Sequence, residues 1–459
     1  MGLLSHGCRS SLGRWASMSR QNRIDEYIQQ VCRHIRNKNV HASISLELEC
    51  HLADKMEDYE SQGYDEENAI KQAIADMGDP EQVGKQLHHA HKPRMEWSII
   101  AIVAVLIGFG LLVMYSLSGT QSANHLSGWS FFENKVIGTL LGLSLFIAVL
   151  FGDYRKLKPY SKHLYLGALL ITFLALFQGG TVNGSASYLD LGILRFDVMG
   201  ITTLLTIIAL AGMFSEWNWE SRGTYVKAFA AFFAPFLMIL SAPDMQSAFL
   251  LFAGFFVLMM TSSAKKKVTF TLFGLITGSI ACLAFLFIRP YQTGRIAAFL
   301  DPYADPNGAG YMIVQSLKLV QSAGLWGNGF GARVDSLPTV ESEFIFTYIV
   351  YSFGIVTGSV ILLLGIALLI RLLKAVKGVR DSYGFMLMAG LMTLFFIPYF
   401  WNILMVVGLM PITSVNLPFI SHGNVQFVLQ MLLMGLVLNI YRNKDIQPWT
   451  DKSILTKNR

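Results

Sequence analysis

Apolar residues dominate the chain beyond Trp97, where about ten long apolar segments alternate with polar connections. Each segment is long enough to cross a lipid bilayer as a helix. The predicted spans lie near 97–117, 136–152, 163–178, 194–214, 225–241, 247–263, 267–288, 344–370, 384–409 and 424–441. Before Trp97 the pattern becomes amphipathic, as in soluble helices. The pattern therefore predicts an all-α, polytopic membrane protein with about ten transmembrane helices and a small N-terminal helical bundle.

Residues 23–92 form the predicted bundle. One apolar stripe recurs at helical spacing and consists of Ile44, Leu48, Leu52 and Met56. Gly63 predicts the end of that helix, Asp65 the cap of the next, and Pro80 the start of another. The motifs H-L-A-D, G-Y-D-E-E-N-A and A-x-x-x-M-G-D-P-E-Q-V resemble the helical prefix domain of some bacterial permeases and sensor membrane proteins. That resemblance implies a cytoplasmic regulatory or partner-binding module.

The two ends of the chain are polar. Residues 1–22 are rich in Ser, Arg and Gly and predict a disordered leader, in which Met18 is an alternative start. Residues 445–459 predict a cytoplasmic tail. His88, His89 and His91 lie close together near the end of the bundle, but no acidic or cysteine ligand is spaced to complete a metal shell. We therefore predict a solvated face there and no metal site.

The charge pattern is that of a membrane protein. Only 14% of the residues are charged and 53% are hydrophobic, which excludes an ordinary soluble enzyme. The net charge of +6 falls in short Lys/Arg clusters beside the spans rather than along one stripe, so nucleic-acid binding is not expected. The clusters follow even-numbered spans, which places them and both termini in the cytoplasm. The 93–444 region then has a large extracytoplasmic loop at 289–343.

The outer loop carries the candidate chemistry. Asp305 lies in A-D-P-N-G-A-G-Y, and a carboxylate at an apolar interface should have a raised pKa, suited to a general base. The Asp-Pro context equally suits an aspartate that only caps a turn. Asp244 is either a functional membrane carboxylate or the cap of the sixth span. Arg289 and Arg295 are suited to binding phosphate oxygens.

Several motifs identify a family. The stretches R-I-A-A-F-L-D-P-Y-A-D-P-N-G-A-G-Y-M-I-V-Q-S, G-L-W-G-N-G-F-G, L-P-T-V-E-S-E-F-I-F and G-L-M-P-I-T-S-V-N-L-P-F-I-S-H-G resemble the FtsW/RodA/SpoVE (SEDS) family, over roughly 97–444. The resemblance implies a peptidoglycan glycosyltransferase in the bacterial cytoplasmic membrane. It would polymerise lipid II at the outer face, among membrane lipids, beside a class B penicillin-binding transpeptidase.

The resemblance also assigns roles to residues. Asp305 would be the catalytic residue that takes a proton from the sugar hydroxyl of lipid II, and Arg289 and Arg295 would neutralise the pyrophosphate, with or without Mg²⁺ or Mn²⁺. The full set of predicted substrate-binding residues is Arg289, Arg295, Asp244, Gly308, Gly310, Tyr311, Gln315, Ser316, Lys318 and Ser421.

The chain departs from the family pattern at several polar positions. Tyr188, Gly200 and Thr203 stand where the family has Trp, Glu and Lys, and Tyr351 and Ser352 stand where it has paired glutamates. Two alternatives to the enzyme therefore remain open. One is a catalytically degenerate scaffold that binds lipid II or a transpeptidase. The other is a lipid II flippase or transporter.

Overall fold

The computed structural model describes residues 18–35, 41–90, 95–119, 131–178, 180–182, 185–190, 195–242, 244–287, 294 and 297–444. The chain separates into two compact units, Met1–Met95 with Arg442–Arg459, and Glu96–Tyr441. Helices account for nearly all of the regular structure in the described residues, which confirms the all-α prediction.

The described part of the first unit is a helical bundle of α1 (Met18–Arg33), α2 (His41–Ser61), α3 (Glu66–Met77) and α4 (Pro80–Ala90). Its core includes Ile28, Val31, Leu48, Leu52, Met56 and Ile70. Gly63 follows the end of α2 with φ +91°, and Pro80 begins α4, both as predicted. Asp65 precedes α3, but its carboxylate accepts a hydrogen bond from the Asn68 side chain instead of the helix backbone.

The N-terminal boundary of the bundle differs from the prediction. Helix α1 begins at Met18, so residues 18–22 belong to a helix and not to a disordered leader. The reason is that Ile24, Tyr27 and Ile28 pack into the core, which favours helix from the turn before them. Residues 1–17, 91–94 and 445–459 lie outside the described residues, as do the side chain of His89 and the whole of His91.

The membrane region consists of α5 (Trp97–Ser118), α6 (Phe131–Phe151), α7 (Ser161–Gln178), α8 (Val198–Glu216), α9 (Arg222–Ser241), α10 (Met245–Thr261), α11 (Lys266–Phe287), α12 (Tyr311–Ser322), α13 (Ile345–Lys377), α14 (Ser382–Val406) and α15 (Asn424–Arg442). Every predicted span coincides with one of these helices. In the described residues, eight helices are long and apolar enough to cross a membrane. Helix α10 is a shorter apolar helix. The chain is a multi-pass membrane protein, and the count of ten crossings stays a prediction.

Helix α8 occupies the centre of this region. It packs against α7, α10 and α14, and both α8 and α14 are buried over most of their length. By contrast, α6 and α7 expose many large apolar side chains, as lipid-facing helices do, among them Leu140, Leu141, Phe151, Leu166, Leu170 and Phe177. Helices α8 and α14 therefore form the protein interior of this region, and α6 and α7 its lipid-facing surface.

A small antiparallel sheet connects α7 to α8 and was not predicted. Its strands are β1 (Gly180–Val182), β2 (Ser185–Asp190) and β3 (Arg195–Asp197), in the order β1-β2-β3. Two of its three strands have only three residues, too few to show a period-two pattern in the sequence. In the sheet Tyr188 pairs with Asp197, the residue directly before α8. The fourth span thus begins at Val198, later than the predicted 194.

Candidate functional site

Asp305 lies in a tight turn at residues 301–310, ahead of α12. Its backbone carbonyl accepts from the N–H groups of Gly308 and Gly310, at 3.3 and 3.0 Å, and its Oδ2 accepts from the N–H of Ala309 at 3.0 Å. A Cβ atom at Gly308 would overlap the Asp305 carboxylate, and one at Gly310 would overlap the Pro302 carbonyl. The two glycines are therefore required by close approach within the turn.

The surroundings of Asp305 differ from those expected. The side chain is exposed, so the partly dry hollow expected around it is not present in this structure. The turn-capping geometry named as the alternative is present. Oδ1 accepts no hydrogen bond from the described residues, which leaves it available to a ligand. The catalytic assignment itself stays a prediction.

Ser316 holds helix α12 in place through two hydrogen bonds. The Ser316 hydroxyl is hydrogen-bonded to the Thr347 hydroxyl at 2.8 Å and donates to the Val406 carbonyl at 3.3 Å. Ser316 is 2% exposed, so in this structure it holds α12 against α13 and α14 and is closed to a substrate. Tyr311 and Gln315 are half-buried and Lys318 is exposed, which leaves these three predicted residues accessible.

Two loops, residues 337–344 and 415–423, meet between the ends of α13, α14 and α15; we call their junction the seam. The His422 N–H donates to the Glu341 carbonyl at 2.8 Å. The Ser421 hydroxyl donates to the Ser342 carbonyl at 2.9 Å and accepts from the Leu417 N–H at 2.8 Å. Ser421, predicted to bind substrate, is 6% exposed and joins the two loops instead.

Asn402 closes the seam from α14. Its Nδ2 donates to the carbonyls of Glu343 and Val415, at 2.8 and 2.7 Å, and so links one loop to the other. Each loop also contains a non-glycine residue in the left-handed region, Thr339 at φ 51° and Phe419 at φ 66°. Such conformations persist only where the surroundings determine them strongly and are common at functional sites. The seam is therefore a strained but well-restrained element.

Lys135 lies beneath the seam and was missed by the sequence analysis. It is 1% exposed, its Nζ donates to the Ser421 carbonyl at 2.8 Å, and it lies 4.3 Å from the centroid of the Phe427 ring. None of the ion pairs among the described residues includes it. Burial of a cation without a carboxylate is costly and marks a functional candidate. Its position one residue before the predicted span at 136 made it look like a flanking charge.

A pair of carboxylates lies at the N-terminal ends of α8 and α10. Asp197 Oδ1 accepts from the Gly200 N–H at 3.0 Å. Asp244 accepts from the N–H and the hydroxyl of Ser247, at 3.0 and 2.9 Å. Both are helix caps, which is the alternative stated for Asp244. Burial is the main cause that raises the pKa of Asp197, and with the charge of Asp244, against the opposing hydrogen bonds from Gly200 and Met199, it brings that pKa to about 6.

Asp197 is the second functional candidate that the sequence analysis missed. It was assigned to the interior of a span, whereas it precedes α8. The available signal was its position three residues before Gly200, because an aspartate there can cap the helix. A Cβ atom at Gly200 would lie 2.7 Å from the Asp197 carboxylate, so the absence of a side chain at 200 makes room for it.

Two other positions that depart from the family pattern, 203 and 352, carry small side chains with hydroxyl groups in the protein interior. Thr203 is 2% exposed and Ser352 is 1% exposed. Neither hydroxyl has a hydrogen-bond partner among the described residues. The backbone of Tyr188 pairs in the sheet, and its side chain is outside the described residues. These positions therefore supply no charge to a site.

The structure does not join the predicted residues into one cluster. Arg289 and Arg295 lie outside the described residues. Among the described residues, no hydrogen bond or ion pair connects Asp305 to the seam or to the carboxylate pair. Nor does this part of the chain contain a group of three metal-ligating side chains. The described residues thus do not bring together the several oxygen ligands that a protein-held cation needs, and Mg²⁺ or Mn²⁺ dependence stays a prediction.

Comparison with known proteins bears on the whole membrane region. The family model FTSW_RODA_SPOVE, described as cell cycle protein, matches residues 96–446. Stage V sporulation protein E of Bacillus subtilis is 30% identical over 353 residues, which cover 75% of this chain and 96% of that protein. Peptidoglycan glycosyltransferase MrdB of Escherichia coli K12 is 27% identical over 360 residues, covering 77% and 95%.

Solved structures show the same fold. A chain from a peptidoglycan synthase complex, studied for its coordination of polymerization and crosslinking, aligns with a TM-score of 0.65 and 22% identity over 78% of this chain and 99% of that chain. The rod shape determining protein RodA of Thermus thermophilus aligns with a TM-score of 0.58 and 21% identity, over 78% and 98%. The arrangement of α5 to α15 is therefore one already observed in bacterial membrane proteins.

Proposed function

The chain belongs to the FtsW/RodA/SpoVE family, and from this premise we propose that it is a peptidoglycan glycosyltransferase that polymerises lipid II at the outer face of the bacterial cytoplasmic membrane. Relatives named as peptidoglycan glycosyltransferases, at 27% identity over nearly their whole length, support the reaction class. The clusters of Lys and Arg after even-numbered spans support the orientation, with both termini in the cytoplasm.

One observation carries the proposal: an exposed carboxylate held rigidly by its own turn. Oδ2 of Asp305 is fixed by the Ala309 N–H, while Oδ1 has no partner among the described residues. In the reaction a sugar hydroxyl of one lipid II attacks the anomeric carbon of another chain. As the new C–O bond forms, Oδ1 of Asp305 takes the hydroxyl proton, and the lipid pyrophosphate leaves with the electrons of the broken C–O bond.

The lipid II substrate itself supplies the low-dielectric surroundings that the exposed carboxylate lacks. When a lipid-linked sugar covers Asp305, water is displaced from the carboxylate and from the hydroxyl that it faces. Lys318 is exposed on α12, in the helix that follows this turn, and provides positive charge for the pyrophosphate. A class B transpeptidase is the proposed partner, by likeness to the synthase complex.

The scaffold is the second candidate, and a specific observation favours it. Thr203 and Ser352 are buried hydroxyls where the family carries charged residues, so part of its polar machinery is missing here. A scaffold would retain the fold and bind lipid II or the transpeptidase without forming glycan.

Incubation of the purified full-length protein with fluorescent lipid II and a class B transpeptidase tests the proposal. We expect glycan polymer from the wild type and a loss of about a hundredfold or more from Asp305→Ala. Asp301→Ala is the matched control, because Asp301 is another exposed aspartate of the same turn whose Oδ1 accepts from the Tyr303 N–H at 3.2 Å. It should retain activity.

Two outcomes would contradict the enzyme, and a third would contradict only the role of Asp305. Absence of polymer from the wild type, together with retained lipid II binding, would support the scaffold. Equal activity of wild type and Asp305→Ala would remove Asp305 from the reaction. Movement of labelled lipid II across liposomes without polymer would support a transporter.

A further inference from the structure

Helix α13 is broken at Gly354, and a loop from the outer region fills the break. Gly354 has φ 89° and ψ 167°, which are not helical. The loop is residues 324–331, G-L-W-G-N-G-F-G, which we call the glycine loop. Its Asn328 N–H donates to the Tyr351 carbonyl at 2.9 Å, and its Gly324 carbonyl accepts from the Ile355 N–H at 3.1 Å. The loop thus satisfies backbone groups on both sides of the break.

The fit between loop and helix depends on glycine. A Cβ atom at Gly327 would overlap the Ser352 carbonyl, and one at Gly354 would overlap the Leu325 carbonyl. Both residues also have positive φ, 79° for Gly327 and 89° for Gly354. The backbone of the glycine loop therefore packs directly against the backbone of α13 at the break.

The glycine loop exposes large apolar side chains, which are Leu325 at 64%, Trp326 at 79% and Phe330 at 59%. They adjoin an exposed apolar stripe along α13, which consists of Ile355 at 43%, Val360 at 49%, Leu363 at 62% and Ile370 at 47%. The stripe has the helical spacing of a lipid-facing surface. The Val356 N–H donates to the Leu325 carbonyl at 3.3 Å, so the loop continues directly from the start of the stripe.

Two helices, α13 and α5, independently give the distance of the glycine loop from the opposite face of the membrane. From Arg371, in the charged end of α13, to Ile355 is a rise of about 24 Å. From Trp97 to Tyr115 on α5 it is about 27 Å. The loop contacts α13 at Ile355 and also contacts the far end of α5. There the Phe330 and Tyr115 rings lie 5.9 Å apart, and the Gly331 N–H donates to the Ser116 hydroxyl at 2.9 Å. A hydrocarbon core of about 30 Å therefore ends near the glycine loop.

We propose that the glycine loop is a membrane-interface anchor whose partner is the lipid surface of the bilayer face opposite Trp97 and Arg371. Trp is the residue type that favours this interface, since its ring is apolar and its N–H is polar. Leu325 and Trp326 enter the lipid between headgroups and acyl chains. Because the loop follows α12 within two residues, the anchor also holds the segment after the Asp305 turn at the membrane surface.

Depth measurement tests the anchor. Trp326→Cys is made in a full-length chain whose native cysteines are replaced, labelled with a polarity-sensitive fluorophore, and reconstituted in phosphatidylcholine–phosphatidylglycerol vesicles. Some vesicles contain phosphatidylcholine with a nitroxide near the headgroup. Asp335→Cys is the control, because Asp335 is exposed in the same outer stretch and lies outside the glycine loop. Iodide serves as the aqueous quencher.

We expect the nitroxide lipid to quench the label at 326 several-fold more than the label at 335, and iodide to show the reverse order. Iodide quenching at 326 equal to that at 335 would show a water-exposed loop and overturn the proposal. Quenching at 326 by neither agent would show that protein covers the loop, and would overturn it equally. Leu325→Cys repeats the measurement at a neighbouring exposed position.

Discussion

The Asp305 turn and the seam are restrained in opposite ways. Asp305 is bonded to Ala309, four residues away, whereas Lys135 reaches Ser421 across 286 residues and Asn402 reaches Glu343 across 59. The turn is mostly exposed, whereas the side chains that join the seam, Lys135, Asn402 and Ser421, are buried. The bonds of the turn join residues close in sequence, so the turn can hold a reactive group without stabilising the rest of the fold. The bonds of the seam join distant parts of the chain, so they stabilise the fold. Variants in the two regions should therefore separate activity from stability.

Asn402→Leu should give the largest loss of stability. The change removes the two Nδ2–H hydrogen bonds to the carbonyls of Glu343 and Val415, which link the two loops of the seam. Loss of the buried Asn402 Oδ1, which has no partner among the described residues, offsets part of the cost. We expect the free energy of unfolding to fall by about 3 kcal/mol, measured by thermal unfolding in detergent.

Asn218→Ala is the matched control for that measurement. Asn218 is exposed, and its Oδ1 accepts only from the nearby Glu220 N–H, at 3.0 Å, among the bonds of the described residues. Its effect should stay within about 0.5 kcal/mol. Equal losses at 218 and 402 would show that the seam is no better restrained than a surface loop.

Lys135→Ala should come next, with a loss of about 2 kcal/mol from the cavity and from the Ser421 carbonyl that loses its donor. Lys135→Met separates these effects, because it keeps the apolar stem beside Phe427 and also removes the cost of burying a cation. We expect Lys135→Met to be as stable as the wild type or more so. A loss for Met as large as the loss for Ala would mean that the charged group and its bond to the Ser421 carbonyl, which both variants lack, stabilise the seam.

The sequence predicted what depends on local pattern. Apolar runs predicted every span, and the helix breaker Pro80 predicted the start of α4. The capping alternatives stated for Asp244 and Asp305 followed from the residues beside them. The sequence could not predict the seam, because nothing near Lys135 indicates that it meets Ser421. The break at Gly354 was hidden for the same reason, since its filling loop ends more than twenty residues earlier in the chain. Long-range contacts have no short-range signature.

Asp197 gives a smaller effect that depends on pH. Its pKa is raised from an ordinary 3.8 to about 6, so the folded protein binds this proton more tightly than the unfolded chain does. The resulting stability is fully present below about pH 4 and is lost as pH rises through about 6. Asp197→Asn keeps the cap and removes the titration. Unfolding temperatures of wild type and variant should therefore converge toward low pH and separate above pH 6, with the variant higher.

Asp244→Asn is the control for this profile, because loss of its charge should bring the titration of Asp197 to lower pH without abolishing it. Parallel unfolding curves for wild type and Asp197→Asn across this range would show that Asp197 does not titrate as the structure indicates.

Gly308→Ala should have the smallest effect on stability and is the sharpest test of the comparison. The new Cβ atom would overlap the Asp305 carboxylate, so the turn must open and Oδ2 must leave the Ala309 N–H. Because every bond lost is local and exposed, the free energy of unfolding should change by less than about 1 kcal/mol. Lipid II polymerisation should nevertheless fall well below that of Gly274→Ala, a helical glycine with open space around it. A stable and fully active Gly308→Ala would mean that the geometry of the turn is irrelevant to the reaction, and the case for Asp305 would then rest on its charge alone.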